Sequence, residues 1–183
     1  MKSNILKHIK HIPAAMRKVY PIRKHATGVH VCDVPYDGVN DMANIDYADA
    51  EKRGYFKIDF LNVNVYNGVR DQHHLLKLMG EEPLWQLLIE EEFVKLLFHL
   101  NEHIDILRKT QPTSVEQLAA VLAMIRPAKR HLIGKTWTEI MNEVWIPPTS
   151  DEYYFKKSHA TAYAVAIVAQ MNLICEQISY GYS

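Results

Sequence analysis

The chain has 183 residues, 48% of them hydrophobic and 23% charged, with 21 basic and 21 acidic side chains. That balance is too apolar for a disordered chain, and the length suffices for one domain with its own core. The two cysteines, Cys32 and Cys175, are far apart and form neither a disulfide framework nor a metal-binding spacing, so a reducing, cytoplasm-like compartment is expected rather than secretion.

The zero net charge hides an asymmetry. Residues 1–25 carry Lys2, Lys7, Lys10, Arg17, Lys18, Arg23 and Lys24 and no acid, leaving 14 basic and 21 acidic residues for the remainder. A basic arm on an acidic body is expected to dock on that body, on an acidic protein partner, or on nucleic acid. Within the arm, Ile5, Ile9, Ile12, Met16 and Val19 recur at steps of four and three, the stripe of an apolar helix, with Pro13 dividing it. Residues 26–54 change texture. Asp33, Asp37, Asp41, Asp46 and Asp49, set among Gly28, Pro35, Gly38 and Asn40, predict an irregular excursion with at most a short helix near its end. Their order lacks the ligand and glycine sequence of an EF-hand, so they read as an acidic loop. Alternation of Phe56, Ile58 and Phe60 with Lys57 and Asp59 predicts a strand. Val63 and Val65 resume it after a phase shift, and Asn67-Gly68 supplies a turn.

Helices are expected from there on, at 69–79, 83–109, 114–132, 136–145 and 150–180. Capping boxes at Thr113/Glu116, Thr136/Glu139 and Thr149/Glu152 mark three starts, and Gly80, Gly134 and Gly181 mark ends. Trp85, Ile89, Phe93, Leu96, Leu100, Ile104 and Leu107 form one continuous stripe, which predicts a central helix. Ala160, Ala164, Ile167, Met171, Ile174 and Ile178 form a heptad-like seam whose small residues admit a close neighbour, either within the chain or on another copy. The apolar stretch 160–174 is broken by Thr161, Gln170 and Asn172. It is shorter than the roughly 20 residues a membrane span needs, and reads as a buried helix.

Several side-chain groups can carry chemistry. His99-Leu100-Asn101-Glu102-His103 is similar to the H-x-x-E-H string of the inverzincin metallopeptidases. That resemblance implies Zn²⁺ held by His99 and His103, with Glu102 handling a water proton and Glu176 available downstream. The run from His73 through Gly80 into Leu88-Ile89-Glu90-Glu91-Glu92-Phe93 resembles the opening helices of the all-α, MazG-like nucleotide pyrophosphohydrolases. It implies Mg²⁺ held by Glu91 and Glu92, although Lys95 stands where that pattern continues with an acid and 114–132 offers only Glu116. The pairs His73-His74 and His8/His11 read as surface histidines. Arg126, Lys129, Arg130 and His131 cluster near a helix end, which either the helix dipole or a phosphate explains.

The expected fold is mainly α: a single domain, 1–183, forming a bundle of about five helices with a small β element. It comprises a basic N-terminal helical arm (1–25), an irregular and β segment (26–68) and the bundle (69–183). The expected function is a non-enzymatic interaction or assembly protein, a subunit of a homo- or hetero-oligomeric complex such as a viral particle. It works without a cofactor or membrane, through Ala160, Ala164, Ile167, Met171, Ile174, Lys7, Lys10, Arg17 and Lys18. The competing class is a metal-dependent hydrolase using Mg²⁺ or Zn²⁺ at Glu91, Glu92, His99, Glu102 and His103.

Overall fold

The computed structural model describes residues 9–60, 64–149 and 152–181. The chain divides into two compact units, residues 1–63 and 64–183. It is mostly helical, and the strands among the described residues all lie in the first unit.

The first unit runs β1 (Ile12–Met16), β2 (Arg23–His30), β3 (Tyr36–Asp37), β4 (Met42–Ala43), α1 (Tyr47–Lys52) and β5 (Lys57–Asp59). Strands β1, β2 and β5 form an antiparallel sheet in that order, with Ile12 opposite His30, Met16 opposite Arg23, and Gly28 opposite Asp59. The helix expected for the arm is thus corrected to a strand over its described part. Pro13 has no N–H and is costly inside a helix. In the ladder it sits beside a register irregularity between Pro13 and Ala15, where a missing donor is tolerated. The segment 26–54 is also more ordered than its composition implies. Strands β3 and β4 pair as a ribbon, and Val34, Met42 and Ala43 join Ala15 in a small core packed by Ile12, Cys32, Ile45 and Tyr55. The short helix expected near its end is α1. The alternation at 56–60 yields β5, whereas Asn64–Tyr66 is a 3-10 helix and not a resumed strand. Residues 61–63 lie outside the described residues.

The second unit contains α2 (Gln72–Gly80), a 3-10 helix at Trp85–Ile89, α3 (Glu91–Val94), α4 (Ile104–Thr110), α5 (Val115–Met124), a 3-10 helix at Pro127–Leu132, α6 (Trp137–Glu143) and α7 (Lys157–Gly181). The predicted turn at Asn67-Gly68 is present, with Gly68 at φ +98°. The single helix expected over 83–109 is not: that stretch is a 3-10 turn, two short helices and a bend at 95–103. The cause is a side chain far away in sequence. Gln170 of α7 donates to the Leu96 carbonyl at 2.8 Å and accepts the Phe98 amide at 2.9 Å, replacing partners a continuous helix would have supplied. His99 then turns at φ 60°. The stripe residues Leu100 and Leu107 still reach the core, joined by Leu97, but the core centres on α5, whose residues 118–124 are all buried.

Helix boundaries follow local chemistry where it is strong. Thr136 and Glu139 form a complete capping box at α6. At α5 the cap is Ser114, which accepts from the Gln117 amide at 3.1 Å, one residue after the expected Thr113. Thr149 starts no helix, because α7 begins at Lys157. Gly134 has the positive φ of a helix end (+95°) and Gly80 closes α2. Asn172 caps that helix from α7, donating to the carbonyls of Leu78 and Glu81 at 2.9 and 2.8 Å. From Lys157 to Tyr180, α7 is long and apolar enough by length and composition to cross a membrane, more than the 160–174 stretch alone implied. In this unit Ala160, Ala164, Ile167 and Met171 are fully buried in the core, mainly against α5.

Candidate functional site

In the first unit the basic arm and the acidic segment pair almost one to one. Lys10 meets Asp33 at 3.0 Å, Lys18 meets Asp49 at 2.7 Å, Lys24 meets Asp41 at 2.8 Å, and Arg17 pairs with Asp37. Asp46, largely buried, accepts the backbone amides of Arg17 (2.8 Å) and Lys18 (3.1 Å) on one oxygen. Its other oxygen caps α1 by accepting from Ala48 at 3.1 Å. Hydrogen bonds from Asn40 and Arg17, joined by the Val39 amide, hold the Asp37 carboxyl far below its ordinary range. Lys10, Arg17 and Lys18 are therefore neutralised by aspartates of their own unit. Lys7 lies outside the described residues.

These pairs have a geometric result. Arg17–Asp37 and Lys24–Asp41 fasten both ends of the loop joining β1 to β2 to the turn joining β3 to β4. Two exposed apolar tips are thereby brought to one end of the unit. Val19, Tyr20 and Ile22 stand on the loop, with Tyr20 100% exposed, and Val39 stands on the turn, 94% exposed. Isolated exposed apolar residues are ordinary, but several on two segments fastened together by ion pairs make a candidate contact surface.

In the second unit the metal candidates separate. His99, Glu102 and His103 lie in a bend and at the edge of α4 rather than on one helix face. The His99 ring packs 4.0 Å from Phe98 and 4.8 Å from Tyr163, centroid to centroid. Glu91 and Glu92 stand on a helix of four residues and pair with Lys95 at 3.3 and 2.6 Å, so the two long carboxylate-bearing helices implied by the nucleotide hydrolase resemblance are not built there. Among the described residues no three His, Cys, Asp or Glu side chains are grouped to hold a metal ion. His73 is exposed, while His74 is buried and bridges helices. It accepts the Arg70 amide on Nδ1, so Nε2 carries the proton and donates to Glu176 of α7 at 3.1 Å. The seam residues Ala160, Ala164, Ile167 and Met171 are covered by their own chain, with Ile174 partly buried.

The cationic cluster divides by role. Lys129, 4% exposed, donates to the Glu143 carbonyl at 2.9 Å and closes the end of α6, while His131 and Lys135 pair with the Glu143 carboxylate. These groups are thus partnered by Glu143 at the end of α6, not by the end of the helix that precedes them, which stops at Met124. Arg126 is placed differently. Its guanidinium lies 5.2 Å from the Phe155 ring centroid and 5.9 Å from that of Tyr153, and its Nε is buried without a hydrogen-bond partner. Phe155 packs on Tyr163 (5.2 Å), and Tyr163 packs on His99. Burial, followed by the Arg126 charge, pushes the His99 imidazole toward its neutral form. His103 is pushed the same way by burial, with Glu102 opposing and Arg126 and Arg130 assisting. Sequence reasoning had singled out these histidines and arginines separately. The aromatic residues that join them, Tyr153, Phe155 and Tyr163, carried no motif. Comparison with protein-family models, with curated proteins and with solved structures found no match.

Proposed function

We propose that the chain is a non-enzymatic assembly protein that associates with a second copy of itself through the apolar end of its first unit. The observation that carries this reading is four exposed apolar side chains, Val19, Tyr20, Ile22 and Val39, on a loop and a turn fastened by Arg17–Asp37 and Lys24–Asp41, whose charges of both signs would form the rim. Tyrosine is enriched among residues that dominate interface energetics, because its ring gives a large, stiff contact area. The rim is compatible with itself. In a two-fold contact the same patch faces its own copy, so a rim already neutralised by its own ion pairs meets that copy without like-charge repulsion. A polyanion such as nucleic acid gains little from cations that already have aspartate partners. The helical unit, with α7 packed along α5, serves in this reading as the body that the contact brings together. The setting proposed is the reducing, cytoplasm-like compartment to which Cys32 and Cys175, both free thiols, point.

Light scattering behind size exclusion tests this. The full chain is expected to show a mass of at least two 21.2-kDa subunits. The double substitution Tyr20→Ser with Val39→Ser is expected to return it to one, with an unchanged circular dichroism spectrum. A single-subunit mass for the unaltered chain at every concentration, or an assembly indifferent to the double substitution, overturns the proposal.

A further inference from the structure

The hairpin of β1 and β2 contains a wide bulge. Pro13 lies opposite Val29 and Ala15 opposite Lys24, so Ala14 alone faces residues 25–28. The residues in excess have no ladder partners on β1, and their amides need other acceptors. An imidazole supplies one. Nδ1 of His25 accepts the Gly28 amide at 3.0 Å and the Thr27 amide at 3.3 Å. A ring nitrogen that accepts carries no proton, so the neutral ring holds its proton on Nε2. Gly28 admits this approach, because a Cβ there would stand 3.0 Å from Nδ1.

The same nitrogen also faces acceptors. It lies 3.7 Å from Oδ1 of Asp59 on β5 and 3.4 Å from the Thr27 hydroxyl, which itself donates to Asp59 at 2.9 Å. Lys57 of β5 pairs with the other Asp59 oxygen, and the Tyr47 ring of α1 meets the imidazole edge-on, 5.0 Å between centroids. Burial pushes the Asp59 carboxyl up, but Lys57 and Thr27 outweigh it and hold it below its usual range. The carboxylate is therefore charged wherever histidine titrates. The His25 side chain is 21% exposed, enough for water to deliver a proton.

We propose that His25 is a proton-operated latch on this bulge. The neutral ring holds the bulge closed through its Nδ1 lone pair. A proton taken from water onto Nδ1 removes that acceptor and releases the amides of Thr27 and Gly28 together. The new N–H turns to Asp59, whose charge favours it. The bulge sets the register in which Lys24 meets Ala15, and the loop of Val19, Tyr20 and Ile22 hangs from that register. Acid therefore loosens the base of the loop. The latch depends on the hairpin alone and operates whether or not the loop self-associates.

Nuclear magnetic resonance of the full chain, titrated from about pH 8 to about pH 5, tests this. The amide signals of Thr27 and Gly28 are expected to move with the midpoint of the His25 ring, and protection from exchange at Gly28 to fall about tenfold. Those of Val29 and Ile58, paired in the regular ladder, are expected to stay in place. His25→Asn is the control. Its side-chain oxygen can accept the same two amides, two and three residues on, but takes no proton, so both signals are expected to stay fixed. Thr27 and Gly28 signals that ignore the His25 titration, or that move equally in His25→Asn, overturn the proposal. The wild-type titration decides alone if the variant fails to fold.

Discussion

Replacing Asp46 tests the account of what orders the first unit. Its carboxylate receives three backbone amides, two from the arm and one from α1, and it is largely buried. Hydrogen bonds to a charged acceptor contribute about 1.5 to 3 kcal/mol each when fully desolvated. The amides of Arg17 and Lys18 regain water easily, since Arg17 is half-buried and Lys18 exposed, so each is assigned about 1 kcal/mol. The helix cap adds about 1 kcal/mol. Asp46→Ala is therefore expected to destabilise the first unit by about 3 kcal/mol, a large fraction of what a core this small supplies. Asp46→Asn keeps one acceptor oxygen and can serve the arm or the cap but not both, so about half is lost. Hydrogen exchange read at residues 12–16 and 23–30 is the assay. A loss of 3 kcal/mol corresponds to exchange faster by about two orders of magnitude. A change of less than about threefold in Asp46→Ala, or equal losses in the two variants, would refute the reasoning. The pH dependence has a definite sign. Burial pushes the carboxyl up, but the amides of Arg17, Ala48 and Lys18 outweigh it and hold it below the usual aspartate value. The contribution is thus complete above about pH 4 and drains away as pH falls further, through the lowered native value.

Two further substitutions address the second unit. Gln170→Ala removes both hydrogen bonds that hold the bend at 96–98. It is expected to cost about 2 kcal/mol, seen as a lower denaturant midpoint with an unchanged slope. Ala164→Leu adds bulk where α7 meets the core with no exposed surface. About 1 to 3 kcal/mol of overpacking should lower Tm by several degrees, and no change in Tm would show that the contact is looser than described.

What the sequence made readable was local. The Thr136–Glu139 box is legible because its partners are three residues apart, and the Asn67-Gly68 turn because glycine tolerates the positive φ there. The break in 83–109 was not, since the stripe of Trp85 to Leu107 is helical in period and the side chain that bends it, Gln170, arrives from more than 70 residues away. The same holds for the arm. Its apolar spacing fits a helix, yet its ladder partners are residues 23–30 and its anchor is Asp46. The polar interruptions of α7, Gln170 and Asn172, were visible only as breaks in an apolar run. In the structure they cap other segments. Arg126, His99 and His103 were each noticeable as types, but the aromatic rings that join them come from Tyr153, Phe155 and Tyr163, which no spacing rule connects.

The pairing of the arm with Asp33 to Asp49 also sets an order of events during synthesis. Residues 1–25 are made with seven cations and no acid, and the last of the aspartates that pair with them follows 24 residues later. At about 5 to 20 residues per second, about 1 to 5 seconds separate the synthesis of residue 25 from that of Asp49, the last aspartate to pair with the arm. For most of that interval its strand lacks its anchor, Asp46. A slow codon run between residues 25 and 49 would lengthen that interval.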